Sequence, residues 1–281
     1  MQVVVWDTSA ISGLSKLQGC RDLIEQMRVD HVHWIPRYVF DEIACSASQA
    51  ERDSILAACR DLIHGTGRIV LHPWDLIRAG ILMYWEVGFI DWEILLETRH
   101  EIEQAIVSGV FDDDLAMVQH PDLKQKLGAA EDWFTSVRPD LKRLFQLEMD
   151  RAESVAEVVA FARSKDVFLN NVRYDCQAVL GHEVDWQYAA RFSQEFPPIN
   201  AKLCAFFIGH IRRNEARLAR NHAGAMDLLA ATYLPLCDRF VSNDRNQQEV
   251  FRDVVRCCSL QTQVLWFDGD FRMQFKTSSK P

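Results

Sequence analysis

Short apolar runs alternate with amphipathic segments in the first quarter of the chain. The run VVVW at 3–6 has no polar residue within it, a pattern typical of a strand buried on both faces of a parallel sheet. The polar residues DTS at 7–9 follow, and they favour a turn or a helix start. Apolar residues then recur at helical spacing at Leu23, Ile24 and Met27. The pattern predicts a strand, a polar turn and a helix.

The same alternation occurs twice more. A second strand is predicted at 31–35, followed by Pro36 in a first helical turn and by an amphipathic helix. A helix at 50–63 ends at a Gly-Thr-Gly segment, and a third strand is predicted at 68–72, closed by Pro73. Three strand and helix units therefore stand at the start of the chain.

Helical periodicity alone extends over residues 78–211, and strand patterns return at 239–244 and 263–267 with one helix between them. Strands that alternate with helices pair in parallel through right-handed crossovers. We therefore predict an α/β fold with an open parallel sheet flanked by helices. Residues 1–77 and 212–281 would form this core, interrupted by an all-helical insertion at 78–211.

Charge and targeting patterns limit the class of protein. The chain of 281 residues has 31 Lys and Arg against 40 Asp and Glu, a net charge of −9, which argues against a protein that coats nucleic acid passively. No apolar stretch is long enough for a membrane helix, and the start of the chain lacks a signal peptide's basic region. The 8 cysteines show no C-x-x-C spacing. We expect a cytoplasmic protein with reduced thiols and no membrane association.

Four acids lie near predicted carboxyl ends of strands. Asp7 follows the first strand, Asp244 follows the fourth, and Glu42 lies one helical turn beyond the second. Asp227 lies in an otherwise apolar helical run just before the fourth strand. Four carboxylates in one crevice repel one another, and Mg²⁺ or Mn²⁺ would neutralise them. Two such ions can support phosphodiester hydrolysis, so the pattern indicates a metal-dependent nuclease.

Each acid also has a simpler interpretation. Asp7 and Asp244 stand where helix N-caps stand, and Glu42 could be a solvated helix residue with Asp41 as an equal candidate. Asp227 could instead form a buried salt bridge with an arginine.

Four segments containing these acids resemble the signature segments of PIN-domain nucleases: VVVWDTSAI at 3–11, IPRYVFDEI at 35–43, MDLLAA at 226–231 and FVSND at 240–244. The resemblance implies a PIN-like (Rossmann-like) sheet and an endoribonuclease in which Asp7, Glu42, Asp227 and Asp244 bind Mg²⁺ or Mn²⁺. It also implies that Ser242 orients the last acid. A role as a toxin or stress-response nuclease, restrained by an inhibitory protein partner, follows from the resemblance alone. Self-association into a homo-oligomer is a further expectation.

Two departures from the family pattern stand out. Many members are compact toxins of the VapC type, which lack an insertion such as 78–211. The residues after Asp244 are Arg245, Asn246 and Gln247, where relatives often have another Asp. A fifth acidic ligand is therefore missing.

Two further residue sets could contact RNA. Arg213, Arg217 and Arg220 share a helical face that leads toward Asp227, and arginine grips phosphate through its bidentate fork. The alternative is a solvated basic face. Tryptophans of the insertion could stack on bases or pack in a helical core, which is the expectation for most of them: Trp85, Trp92, Trp133 and Trp186.

Two rival functions stay open. A catalytically degenerate PIN module could act as an RNA-binding or protein-interaction scaffold. A phosphatase of the haloacid dehalogenase type also opens with a strand followed by Asp, but it places a second Asp where this chain has Ser9.

Overall fold

The computed structural model describes residues 1–44, 48–96, 155–164, 166–214 and 224–275. A five-stranded, all-parallel sheet forms its centre, in the order β3-β2-β1-β4-β5. The strands are β1 (Gln2–Trp6), β2 (His31–Pro36), β3 (Arg68–Val70), β4 (Arg239–Ser242) and β5 (Gln263–Trp266). Each of the five predicted strands is present, and the predicted α/β class with a parallel sheet is confirmed.

Helices flank the sheet and connect its strands. In chain order they are α1 (Thr8–Ser15), α2 (Cys20–Arg28), α3 (Arg37–Ala44), α4 (Gln49–Ile63), α5 (Pro73–Val87), α6 (Trp92–Leu96), α7 (Val155–Ser164), α8 (Val167–Leu180), α9 (Trp186–Glu195), α10 (Pro197–Asn214), α11 (Ala225–Leu229) and α12 (Arg245–Cys257). A 3₁₀ helix, Ala230–Leu236, continues α11, and a π-helical turn, Phe267–Phe271, follows β5. No helix in these ranges is long and apolar enough to cross a membrane.

The strand order creates a crevice beside β1. The chain moves outward from β1 through β2 to β3, and it returns to the opposite side of β1 for β4 and β5. Val5 is paired with Phe240 and Trp6 with Val241. Loops on the two sides of such a reversal point diverge, which opens a crevice at the carboxyl ends of the strands. Asp7 and Asp244 therefore lie at the place where open α/β sheets bind their ligands.

The core is continuous from the sheet into the helices. Val4, Val5 and Trp6 of the central strand are fully buried. Helix α10 packs along the 3₁₀ helix and α12, and α8 contacts both α5 and α10. The predicted boundaries at 77 and 211 fall inside α5 and α10. The division into a core and an insertion stays a prediction.

Three local expectations were wrong. The single helix expected after β1 is two helices, separated by a turn in which Gly19 adopts a left-handed φ of 78°. Pro36 ends β2 instead of opening the next helix. Strand β3 ends at Val70 because the Leu71 carbonyl accepts the Tyr233 hydroxyl and the His72 side chain caps α5.

Candidate active site

Asp7 is held at the end of the central strand by hydrogen bonds to both carboxylate oxygens. Its side chain is only 4% exposed. Oδ2 accepts the Ser9 amide at 3.1 Å, the Ser9 hydroxyl at 2.5 Å and the Ser242 hydroxyl at 3.2 Å. Oδ1 accepts the Tyr38 hydroxyl at 3.1 Å and Nε2 of Gln247 at 3.5 Å. Donors from four other elements, α1, α3, β4 and α12, thus fix one buried carboxylate.

Asp244 is linked to Asp7 through Ser242. The Ser242 hydroxyl oxygen accepts the Asp244 amide at 2.9 Å while its proton goes to Asp7. Oδ1 of Asp244 accepts the amides of Asn246 and Gln247 at 2.7 and 3.2 Å, so this side chain caps α12. Ser242 contacts the backbone amide of Asp244, and the orienting role that the family resemblance implies for it stays a prediction.

Glu42 faces the same crevice from α3. Its Oε2 accepts the hydroxyl of Thr8, the residue directly after Asp7. Burial, followed by the negative charges of Asp7, Asp227 and Asp41, raises the pKa of Glu42 to about 8, although the Thr8 hydrogen bond acts to lower it. Without a cation beside it, the Glu42 carboxyl therefore favours its protonated form. Asp41 and Glu42 were equal candidates for this position of α3, and the contact with Thr8 is made by Glu42.

Asp227 lies in the first turn of α11. Its Oδ2 accepts the amide of Gly224 at 2.7 Å, as in a capping box. Gln247 donates to the Asp227 carbonyl at 3.4 Å and to Asp7 at 3.5 Å, so one amide group joins the two segments. Burial first, and then the charges of Asp7, Glu42 and Asp227, raise the pKa of Tyr38 well above its usual value.

The structure thus places the four predicted acids around one crevice. The simpler interpretation of Asp7 and Asp244 as N-caps holds as well, because these residues cap α1 and α12. The capping oxygens are Oδ2 of Asp7 and Oδ1 of Asp244. An N-cap role uses one oxygen of a carboxylate, so capping and ligand binding are compatible at the same residue. The metal role of the four acids stays a prediction.

The donor set fits a hard divalent cation in type, since every candidate ligand is an oxygen atom. Oε1 of Gln247 is buried beside Asp7 with no hydrogen-bond partner, and a carbonyl oxygen of this kind also suits Mg²⁺ or Mn²⁺. Within the described ranges, however, no three His, Cys, Asp or Glu side chains are close enough together to hold an ion. The chemistry of the site fits, and side-chain rotation would have to bring the ligands together.

Sequence patterns missed two residues of the site. Tyr38 is buried on α3 and faces Asp7, and Gln247 is fully buried on α12. The available signal at Gln247 was a polar residue on the face of α12 that also carries the buried Phe251 and Val254. Position 247 lies in the segment where the family pattern places another acid.

Two of the three arginines that were predicted to contact RNA lie outside the described residues. Arg213 lies on α10, while Arg217 and Arg220 fall in the range 215–223, which the structure does not describe. The neighbouring Arg212 binds acids of α12: Glu249 at 3.0 Å and Asp253. The RNA-gripping role of Arg213, Arg217 and Arg220 stays a prediction.

The tryptophans have different environments. Trp92 is packed against Phe196, with ring centroids 5.6 Å apart. Trp85 and Trp186 are 49% and 44% exposed, so a helical core role was wrong for these two. The ring centroids of Trp85 and His182 are 4.7 Å apart. The Cζ atom of Arg173 lies 5.1 Å from the centroid of the Trp186 ring. Trp133 lies outside the described part of the chain.

No protein-family model, curated protein or solved structure matches the chain.

Proposed function

We propose that the protein is a metal-dependent endoribonuclease of the PIN type that hydrolyses RNA phosphodiester bonds. One observation carries the proposal: Asp7 lies at the reversal point of the parallel sheet, the charges of Asp7 and Asp227 act on Glu42, and Ser242 links Asp7 to Asp244. Burial raises the pKa of Glu42, and the negative charges of Asp7, Asp227 and Asp41 raise it further. A cluster of this charge is stabilised by protons or by cations.

The four acids would hold Mg²⁺ or Mn²⁺, and the bound cation would supply the positive charge that activates water and offsets the charge of a phosphate. The surrounding side chains position the ligands. Tyr38, Ser9 and Ser242 hold Asp7, the Thr8 hydroxyl holds Glu42, and the amides of α12 hold Asp244. This preorganisation lowers the cost of bringing like charges together when a substrate arrives.

A cleavage assay tests the proposal directly. Labelled single-stranded RNA is incubated with the protein and Mn²⁺, Mg²⁺ or a chelator. We expect cleavage that requires metal and that falls at least about a hundredfold in Asp7→Asn and in Asp227→Asn, the size of effect typical of losing one electrostatic group in an active site.

The matched control is Asp53→Asn. Asp53 lies exposed on α4, where it accepts Gln49 Nε2 at 2.8 Å. This variant should cleave at the wild-type rate. Circular dichroism shows whether each variant is folded, and metal-dependent cleavage retained by a folded Asp227→Asn variant would contradict the site assignment.

A second candidate has one observation in its favour. Because no three acidic groups of the described residues are close enough together to bind an ion, the chain could be a degenerate PIN module that binds RNA or protein without cleavage. Calorimetric titration with Mn²⁺ separates the two candidates. Saturable binding that is lost in Asp7→Asn supports the nuclease, and heats equal to buffer dilution support the scaffold.

The cellular setting rests on the family resemblance alone. We propose a cytoplasmic nuclease with a toxin or stress-response role, restrained by an inhibitory protein partner. Purification of the tagged chain from its own cells, followed by identification of the bound protein, tests this setting.

A further inference from the structure

Arg245 and Trp266 form a stacked pair next to Asp244. Arg245 is exposed as the first residue of α12, directly after Asp244, and Trp266 is the last residue of β5. The Cζ atom of Arg245 lies 4.3 Å from the centroid of the Trp266 ring. A guanidinium group is attracted to the face of an indole ring, and this stacking restricts where its N–H groups point. The pair therefore holds a positive charge in a defined place.

Strand register places Trp266 in line with Asp7. Trp266 is paired with Ser242 of the neighbouring strand β4, and the Ser242 hydroxyl donates to Oδ2 of Asp7 at 3.2 Å. Side chains that are paired across neighbouring strands project from the same face of a sheet. Trp266 is two strands away from Asp7, about 10 Å at the usual spacing between strands. The stacked pair therefore lies at the rim of the crevice, on the side of β5.

The exposed acids of the π-helical turn after β5 have other basic partners. Asp268 lies 3.5 Å from Nη1 of Arg272. Asp270 lies 3.8 Å from Nη2 of Arg252. Within the ranges that the structure describes, no ion pair neutralises Arg245, and its guanidinium contacts the ring instead. Its N–H groups are therefore available to a ligand in the crevice.

We propose that Arg245, held on the Trp266 ring, binds a backbone phosphate of the RNA strand next to the phosphate that lies at the four acids. The inference rests on the proposed nuclease function, and it assigns a residue that binds substrate without contacting the metal. Arginine binds phosphate through two parallel N–H···O bonds, and each such contact releases counterions from the strand. The contact positions the strand along the row formed by Asp7, Ser242 and Trp266.

A protein cation at this point offsets acidity that the metal ions leave. The chain has a net charge of −9, and the exposed Asp268 and Asp270 stand on the same rim. Bound Mg²⁺ or Mn²⁺ would offset the charge of the phosphate being cleaved, whereas its neighbours along the strand need cations from the protein. Because the ring already orders the Arg245 guanidinium, binding costs less side-chain entropy than it does for an unrestrained arginine.

The test measures RNA binding separately from cleavage. Fluorescence anisotropy of a labelled single-stranded RNA is titrated with the full chain in Ca²⁺, which suits the same oxygen ligands, at about 50 to 200 mM salt. Arg245→Gln should weaken binding about tenfold at the lowest salt, as expected for one charge-assisted contact. The slope of log affinity against log salt should fall by about 0.7, the value for one phosphate of a single strand.

Two further variants separate the charge from its placement. Arg245→Lys should restore the salt slope but only part of the affinity, because lysine keeps the charge and lacks the bidentate fork. Trp266→Leu should lower the affinity and leave the salt slope unchanged, because the charge remains but is no longer held on a ring. Circular dichroism checks that each variant is folded. A purely structural role of Arg245 would not change the salt slope.

The matched control is Arg21→Gln, which removes an exposed arginine of α2 and should bind RNA with the natural affinity and salt slope. In the cleavage assay with Mn²⁺, Arg245→Gln should raise KM about tenfold and leave kcat within about twofold, since binding alone is lost. Absence of metal-dependent cleavage by the natural chain would count against the nuclease, while the salt slope still tests Arg245. The proposal is overturned if Arg245→Gln binds RNA with the natural affinity and slope, or if the natural chain does not bind RNA.

Discussion

The hydroxyl of Ser242 donates to Oδ2 of Asp7 at 3.2 Å across the boundary between the neighbouring strands β4 and β1. The same oxygen accepts the amide of Asp244 at 2.9 Å. Ser242 is fully buried, so water does not replace either contact. This one hydroxyl fixes the relative positions of the acids that end the two strands.

Ser242→Ala should therefore weaken both the fold and the proposed activity. Loss of a buried hydroxyl that serves two partners should cost about 1–2 kcal/mol in the free energy of unfolding, measured in urea. RNA cleavage should fall about tenfold, since Asp7 keeps its bonds from Ser9 and Tyr38. Ser15→Ala, which removes a hydroxyl bonded to the Ser12 carbonyl, is the control and should cleave normally. Full cleavage by a destabilised Ser242→Ala protein would show that the hydroxyl serves the fold alone.

Asp244→Asn separates the capping role of this residue from the proposed role in cleavage. Asn caps helices about as well as Asp, so the free energy of unfolding in chelator should change by less than about 0.5 kcal/mol. Cleavage and Mn²⁺ affinity should both fall strongly, because the carboxylate charge is lost. Asp185→Asn repeats the same exchange at the N-cap of α9 and should alter neither. If Asp244→Asn cleaves RNA at the original rate, Asp244 is a cap and nothing more.

Gln247→Glu would restore an acid to the segment where the family pattern expects one. The new carboxylate would lie beside Asp7 and the Asp227 segment, so the protein in chelator should lose about 2 kcal/mol of stability. Mn²⁺ should recover that loss and bind more tightly than to the natural chain. The measurement is thermal unfolding with and without Mn²⁺, with the exposed exchange Gln261→Glu as reference. A Gln247→Glu variant that Mn²⁺ does not stabilise would argue against an ion at this position.

Acid should unfold the protein partly through His33. Burial lowers the pKa of His33 from 6.5 to about 3, and its Nδ1 accepts the Trp6 indole N–H at 3.0 Å. The unfolded chain takes up a proton near pH 6.5 while the folded chain does not, so stability is present above pH 6.5 and is lost as the pH falls toward 3. The loss should be on the order of 4 kcal/mol. The urea midpoint of unfolding should change less with pH across this range in His33→Gln than in the natural chain. The exposed exchange His64→Gln is the control. Parallel curves for His33→Gln and the natural chain would refute this.

Local periodicity determined most of the elements. The uninterrupted apolar run at 3–6 predicted the central strand, because a strand buried on both faces has no polar side, and short apolar or alternating segments predicted the other four. Helices α3, α4 and α12 carry the apolar spacing of one buried face. Two of the four acids could be placed at strand ends, since carboxyl ends of parallel strands share one edge of a sheet.

Tertiary packing decided which elements are neighbours, and periodicity does not encode that choice. The position of β4 beside β1 brings Ser242 to Asp7, although the two residues are far apart in sequence. The same is true of Gln247, whose amide reaches Asp7 only because α12 packs over that edge. Its position on the apolar face of α12 is visible in the sequence, but the partner that its amide reaches is not.

The cysteines show the same division. The sequence shows eight cysteines without metal-ligand spacing, which predicts unremarkable reduced thiols. The packing of α7 against α12 brings Arg163 to the Cys257 carbonyl and to Sγ of Cys258. A side chain's chemical type is present in the sequence, but its pKa and its partners depend on burial and distance, which exist only once the helices have packed.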